Sequence, residues 1–546
     1  MNFSTTDFTV FAIYILAMIG FGVYLAFKEK NDTAESYFLA SKTLPWWAIG
    51  GSLIASNISA EQMIGMSGSG YAIGLAIASY EFMAAATLLV VGKYLLPVFL
   101  EHNIQTMPQF LEKRFDGRVR TGLAIFWVIL FVFVNVGSLY YLGSLALHSI
   151  MGIPLHYAVI GLMIYSGTLS VFGGLKAVVW TDVIQVIILI LGGAIASILV
   201  LNAVSDGQGV VEGIKMLYEK APEKFNMIFD KSDTYIDIET GKTKSAYQLL
   251  PGLGVLIGGM WIANLYYWGF NQYIIQRALA AKDIRESQKG VVTAAIIKMF
   301  VPFIVVLPGI AAYVMKADIT KADQAYPWVV NSFVTSGFKG IVVAALVAAI
   351  GSSICSMVNS ASTIYTLDIH NKFFNKDGSE ASQVRTGRLA SLGALVIGAL
   401  MVPALKNYDQ IFQFIQEYTG FISPGILVVF LFGLFWKRTT TNAALAVVVL
   451  SLPLSWGLKE LSEGISFMYQ DRHYLISVGE IPFIHRMGIS FLVLSATIIG
   501  ISMMESKTDS PKAIELRKGL FDTDKTFNFW SLIVIALLIL IYSVFY

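Results

Sequence analysis

The sequence predicts an all-α membrane protein of about 14 transmembrane helices, two of them discontinuous, built on two five-span sets that run in opposite directions. Three observations lead there. The chain has 546 residues, 56% hydrophobic and only 14% charged, a composition outside the range of soluble domains. Apolar runs long enough to cross a bilayer, about 20 residues each, recur along the whole length. Two of these runs are opened by glycines and polar side chains at membrane depth, where irregular backbone is kept only if it lines a cavity.

Taken in order, the candidate spans lie at about 8–27, 47–71, 79–100, 121–149, 155–173, 177–203, 249–271, 288–315, 333–367, 386–405, 409–436, 440–458, 483–503 and 527–546. The first has no basic residue before it and no small-x-small cleavage site after it, so it reads as a retained span. An even number of crossings puts both termini on one side. Placing them outside puts 23 of the 38 lysines and arginines in inner loops, as the positive-inside rule asks. The misfit is the loop at about 204–248, with six lysines outside; its length weakens the rule there. Val210, Val211, Ile214 and Leu217 in that loop recur at helical spacing and predict a surface helix over 209–220. No linker is long or polar enough for a second soluble domain, so residues 1–546 read as a single polytopic unit.

The first interrupted run, 54–71, reads I-A-S-N-I-S-A-E-Q-M-I-G-M-S-G-S-G-Y. Its middle holds Ser56, Asn57, Ser59, Glu61 and Gln62, followed by Gly65, Gly68 and Gly70. Such a stretch can unwind and offer carbonyls and amides as ligands; the same small residues would also serve close packing between helices. In the second run, 249–271, Gly252, Gly254, Gly258 and Gly259 precede Trp261, Asn264, Tyr266, Tyr267, Trp268 and Asn271. Paired broken spans in corresponding positions of two halves point to a transporter binding site. Here they open spans two to six (about 47–203) and seven to eleven (about 249–436). Five is odd, so the second set runs inverted. The symmetry is one of topology; no residue-level repeat accompanies it. The helices at 8–27, 440–458, 483–503 and 527–546 lie outside the two sets.

Composition also excludes. A net charge of +2 with no basic patch argues against a nucleic-acid partner. Cys355 is the only cysteine, which rules out internal disulfides and thiolate clusters. The six histidines show no metal-binding spacing. No nucleophile–base set is present, so the chain does not read as an enzyme.

Five segments carry a specific resemblance: S-N-I-S-A-E-Q-x-I-G-M-S-G-S-G-Y, W-T-D-V-I-Q (180–185), N-L-Y-Y-W-G-F-N-Q-Y-I-I-Q-R (264–277), A-A-I-G-S-S (348–353) and F-Q-F-I-Q-E-Y-T-G-F-I-S-P-G (412–425). Together they resemble the sodium/solute symporters, and within them the sodium/glucose branch. The resemblance implies the five-plus-five inverted-repeat fold shared with the leucine-type sodium symporters. It also implies sodium-coupled uptake of a monosaccharide of the galactose or glucose type, by alternating access. Na+ is then the coupling ion, a sugar and the bilayer are the partners, and a homodimer is admitted. The bacterial inner (plasma) membrane is the expected location. Another solute, such as myo-inositol, a sialic acid or proline, is the alternative within the class, and a channel the alternative outside it. Glu81, Asn264 and Gln416 favour a polyol over a zwitterion.

Carried over position by position, the resemblance implies a sugar site of Asn57, Gln62, Glu81, Asn264, Lys298 and Gln416. Amides and a carboxylate–ammonium set suit a ring of hydroxyls that both donate and accept. Lys298 has about ten residues of helix on either side, too far to snorkel to water, and Glu81 is its natural anion. Tyr267 corresponds to an inner gate, and Met66, Tyr80 and Phe412 to an outer gate. The sodium site corresponds to Ala55, Ile58, Ala349, Ser352 and Ser353, supplying carbonyl and hydroxyl oxygens to a hard cation. Asp182 reads either as a way-station for sodium on its inward exit or as an ordinary carboxylate at a helix start. One position departs from the pattern. Three residues after Glu81, where the resemblance calls for a serine, the chain has Ala84; that spacing keeps both on one helix face.

Overall fold

The computed structural model describes residues 3–28, 43–104, 106–374, 379–408, 410–469 and 472–546. The loop lysines Lys30, Lys42 and Lys376, used above to orient the chain, lie outside these. Helix follows the apolar runs because, in lipid, a helix satisfies its backbone groups within one segment. Among the described residues, 10 helices are long and apolar enough to cross a membrane, or 11 if one bent pair counts as a single span. Of the expected runs, those at 47–71, 155–173 and 249–271 form no such long single helix of their own.

The opening helix, Thr5–Lys28, is tied to the core by Asp7. One carboxylate oxygen accepts from the Ser4 amide and hydroxyl. The other accepts from the amides of Gly337 and Gly340 at 2.7 and 3.0 Å. Asp7 therefore caps the N-terminus of a second helix, Phe338–Ile364, where four amides lack helical partners.

The first interrupted run breaks as expected. Trp46–Asn57 is helical, Ile58 is extended (ψ 101°), and a π-helical turn at Glu61–Met66 leads into Ser67–Ile73. The amide of Ser59 donates to the side chain of Gln62 (3.1 Å) and the amide of Glu61 to the hydroxyl of Ser59 (3.3 Å). These side chains replace helical carbonyls as acceptors, so the Ala55 carbonyl lacks its usual donor four residues on.

The second interrupted run differs from expectation in where it opens. Gly258 (φ −122°, ψ −128°) separates Leu253–Ile257 from Gly259–Leu265, and a further break falls at Asn271, extended between the π-helical turn Tyr266–Phe270 and a buried helix, Gln272–Leu279. The chain thus stays in the protein interior past 271. Arg277, counted above among loop cations, is 1% exposed. Arg114, also counted so, is buried and donates to the carbonyls of Gly433, Trp436 and Lys437, capping the C-terminus of Ser423–Phe435.

Two further boundaries are corrected. The runs at 155–173 and 177–203 form one 50-residue helical stretch, Leu155–Val204. At 1.5 Å per residue that is about 75 Å of helix, enough for two crossings. The run at 409–436 is bent by 46° between Ile411–Gly420 and Ser423–Phe435. The long polar loop holds the expected helix, Val210–Lys220. It also holds an unforeseen hairpin pairing Thr234–Ile236 with Thr243–Ser245. Its Lys224 is drawn inward, donating to the Ala72 carbonyl at 2.6 Å and lying 4.0 Å from the Tyr313 ring.

Ile284–Val314 organises the interior. Both halves of the first broken helix pack along it, and Gly309 makes the outer contact possible. A Cβ at Gly309 would overlap the Ser67 carbonyl oxygen, which belongs to backbone and cannot swing aside. Gly309→Ala should therefore destabilise the fold by roughly 1–3 kcal/mol, the usual cost of overpacking. Thermal unfolding in detergent checks this: a lowered midpoint is expected, and an unchanged one means that the two helices separate freely.

Candidate functional site

The polar stretch after the first break, the Tyr266–Phe270 turn, the start of Ser79–Val90, the middle of Ile284–Val314 and the helix Ile411–Gly420 meet around one cavity. Asn57, Gln62, Glu81, Asn264, Lys298 and Gln416 all line it, with Tyr80, Tyr267 and Phe412. Of the expected set, only Met66 is not part of the lining; it is fully buried behind it. The free space is about 50 Å³, room for a few waters and well below the few hundred Å³ of small-molecule pockets.

Lys298 sits at the centre with no solvent exposure. Its ammonium donates to Asn57 Oδ1 and pairs with Glu81 Oε2, and it lies 5.3 Å from the Trp268 ring. The cation is thereby neutralised, hydrogen-bonded and held against a π face, which is what a buried charge requires. Asn57 also donates to the Tyr267 hydroxyl at 3.0 Å, and Tyr273 donates to the same hydroxyl at 2.6 Å. Asn264 donates to the Met260 carbonyl one turn back (3.1 Å), leaving its amide oxygen for other work. Tyr80 and Phe412 meet edge to face at 5.0 Å in the cavity wall. Tyr267 lies against Trp268 and Tyr273 at 5.1 and 5.8 Å. Ala84 lines the cavity too, so its missing hydroxyl is missing from the cavity wall.

A second polar centre lies beneath the break. Ser52 and Ser352 both donate to Asp182, so Trp46–Asn57 and Phe338–Ile364 meet there, with Ala349 one turn from Ser352 and Ser353 beside it. Ser353 Oγ is buried without a partner. Asp182 has no exposure and pairs with Arg277 (3.3 Å), whose guanidinium also donates to Ser52 and Ser356. It lies inside Leu155–Val204, 27 residues past the first, so the reading of Asp182 as a helix-start carboxylate does not hold. Ala55 and Ile58 are buried at the break. The orphaned Ser353 hydroxyl and the Ala55 carbonyl are oxygen donors of the kind a sodium ion takes.

A model of the sodium:solute symporter family matches residues 37–450. The chain belongs to the sodium:solute symporter family. The sodium/glucose cotransporter of Vibrio parahaemolyticus is 46% identical to it over 562 aligned positions, covering 100% of this chain and 98% of that one. The human sodium/myo-inositol cotransporter 2 is 30% identical over 538 positions, covering 92% and 77%. A solved Na+-coupled sialic acid symporter superposes with a TM-score of 0.76 at 21% identity, covering 92% of this chain and 99% of that one. That last likeness speaks to the fold. The identity to the sodium/glucose cotransporter places this symporter in the sodium/glucose branch.

Sequence reasoning missed Trp268, Thr419 and Glu61 in the cavity wall, and Arg277 in the Asp182 centre. Arg277 was missed because the helix was taken to end at 271. Glu61 was visible as a carboxylate at membrane depth, but adjacent Gln62 filled its place in the expected set.

The Glu81–Lys298 pair makes a prediction. Glu81→Ala leaves an uncompensated buried ammonium and should cost roughly 3–5 kcal/mol. The double change Glu81→Gln with Lys298→Met should recover most of that stability. Thermal unfolding of the three proteins in detergent measures it; a single mutant as stable as the wild type would mean that the ammonium reaches water.

Proposed function

We propose that this symporter takes up a monosaccharide of the galactose or glucose type, driven by sodium, by alternating access. The observation that carries the reading is that all six expected sugar residues line one small cavity around Lys298. A pyranose presents hydroxyls that donate and accept, and amides, a carboxylate and an ammonium answer both needs. The free space is too small for a sugar while Tyr80 and Phe412 are in contact, so entry requires those rings to part. In this reading they form the outer gate with Met66, and Tyr267 forms the inner one.

Sodium binds at the Ala55 and Ile58 carbonyls, Ala349, Ser352 and Ser353. Ser59 and Gln62 follow directly and tie the break to the cavity wall. An ion that draws in the carbonyls at 55 and 58 therefore orders the segment that carries Asn57 and Gln62, and the linkage is reciprocal. Asp182, bonded to Ser352, stands where a departing ion would pass. The architecture consistent with this mechanism is 14 crossings with both termini outside, and inverted sets at about 47–203 and 249–436. The site is that of the plasma membrane of a bacterium.

Uptake into proteoliposomes tests the proposal. Labelled galactose, glucose and myo-inositol are offered with and without an inward sodium gradient. Saturable hexose uptake that requires sodium is expected. Equal rates in sodium-free vesicles would refute coupling, and preference for myo-inositol would reassign the solute. In the same assay Ser353→Ala, which removes an oxygen and little volume, should raise the sodium concentration for half-maximal uptake; unchanged sodium dependence would move the ion site.

Ala84 makes a separate prediction. Ala84→Ser restores one hydroxyl to the cavity wall and should tighten galactose by roughly 0.5–1.5 kcal/mol, the net worth of one neutral hydrogen bond. Competition binding across galactose, glucose and fucose reads it. If no sugar's affinity changes, position 84 does not touch the solute.

A further inference from the structure

The cavity holds two carboxylates and a single ammonium. Glu81 pairs with the ammonium of Lys298, which also donates to Asn57. Glu61 is left over. It lies on the π-helical turn directly after the break, is 5% exposed, and forms part of the cavity lining. Its Oε1 is buried with no hydrogen-bond partner, and the carboxylate is in no ion pair among the described residues. Glu81, Tyr267 and Lys298 share the cavity wall with it, and Tyr273 stands behind Tyr267. The Tyr267 hydroxyl accepts from Asn57 and Tyr273 and makes no bond to Glu61, and Lys298 pairs with Glu81.

A buried carboxylate without donors is among the costliest groups a protein can keep. The protein also holds it in place, since the Glu61 amide is fixed by the Ser59 hydroxyl. An acceptor-only group with two oxygens in a small buried cavity is complementary to a ligand that brings donors in pairs. Two adjacent hydroxyls on a sugar ring are such a pair.

We propose that Glu61 is a further sugar-binding residue, accepting hydrogen bonds from two neighbouring hydroxyls of the solute through its carboxylate. The inference rests on the reading of the cavity as a sugar site and adds a specificity element to it. Glu61 selects for a neutral polyol with an intact pair of adjacent hydroxyls at one edge of the ring. Lys298, Glu81 and the amides bind the others.

The experiment uses the full-length protein in proteoliposomes, with galactose and its four singly deoxygenated analogues (positions 2, 3, 4 and 6) as competitors. In the wild type, removing either hydroxyl of the pair should weaken competition strongly. Glu61→Gln keeps the shape and removes the charge. It should raise the half-saturating galactose concentration about tenfold, as expected for loss of a charge-assisted hydrogen bond. The penalty for those two analogues should shrink by a similar factor, while the other penalties and the sodium concentration for half-maximal uptake stay put. If Glu61→Gln transports too slowly to assay, sugar-dependent thermal stabilisation of the purified variant gives the same comparison. Identical deoxygenation penalties in both proteins would overturn the proposal. So would a shift in sodium dependence alone, which would make Glu61 an ion ligand. Loss of an external pH dependence with the penalties intact would make it a proton carrier and also overturn the proposal. If the wild type takes up no monosaccharide with sodium, the sugar reading itself falls, a result distinct from all of these.

Discussion

A single ammonium, that of Lys298, constrains the centre of this protein. Buried with no exposure, it needs an anion, a neutral acceptor and a polarisable surface, and it finds them in Glu81, Asn57 and Trp268. These partners come from three other segments of the chain. Each must arrive at the same point for the charge to be tolerable. The ion pair is poor evidence of net stability, because its desolvation offsets much of its attraction. Its value is in specificity: it forces the opened helix, the Ser79–Val90 helix and the Tyr266–Phe270 turn into one register around a space where polar groups face inward.

The two polar centres are joined by very little chain. In the proposed site Ala55 and Ile58 serve the lower one; Asn57 and Gln62 line the upper, and Ser59 lies between, tied to Gln62 and Glu61 through its amide and hydroxyl. Over such a distance no long pathway of packed side chains has to be invoked for linkage. In the proposed mechanism sodium and the sugar both contact residues of this one break, which is what links them. Residues in an unbroken helix could not do this, because their carbonyls would be committed to the ladder.

Much of this was legible in the amino-acid order. Apolar run length reveals helices in lipid because nothing else satisfies the backbone there, and polar residues inside such runs are conspicuous for the same reason. The positions of Asn57, Gln62, Glu81, Asn264, Lys298 and Gln416 around one cavity followed the resemblance carried by the motifs. What hydropathy could not reveal were events within apolar sequence. The continuous helix through 155–204 leaves no mark in composition, and the bend near 421, though flanked by Gly420 and Pro424, sits inside an apolar run that reads as one span. Arg277 and Arg114 were misplaced because a charge at a run's edge looks the same whether it faces water or caps buried carbonyls. Glu61 was visible but unassigned, since its meaning depends on Lys298 being already occupied.

The way Ile284–Val314 holds both pieces of the first broken helix bears on how the molecule moves. Toward the start of that helix, a Cβ on Gly290 would meet Ile49 Cγ2 at 2.7 Å; toward its end, one on Gly309 would overlap the Ser67 carbonyl. Ile49 lies before the break and Ser67 after it, and between the two contacts Lys298 binds Asn57. The broken helix is thus splinted on both sides of its discontinuity by one unbroken neighbour. A splinted break is not a hinge. In the proposed alternating access, this packing favours movement of the two pieces together with their splint, the angular change falling where they meet the helices that carry Asp182, Ser352 and Phe412.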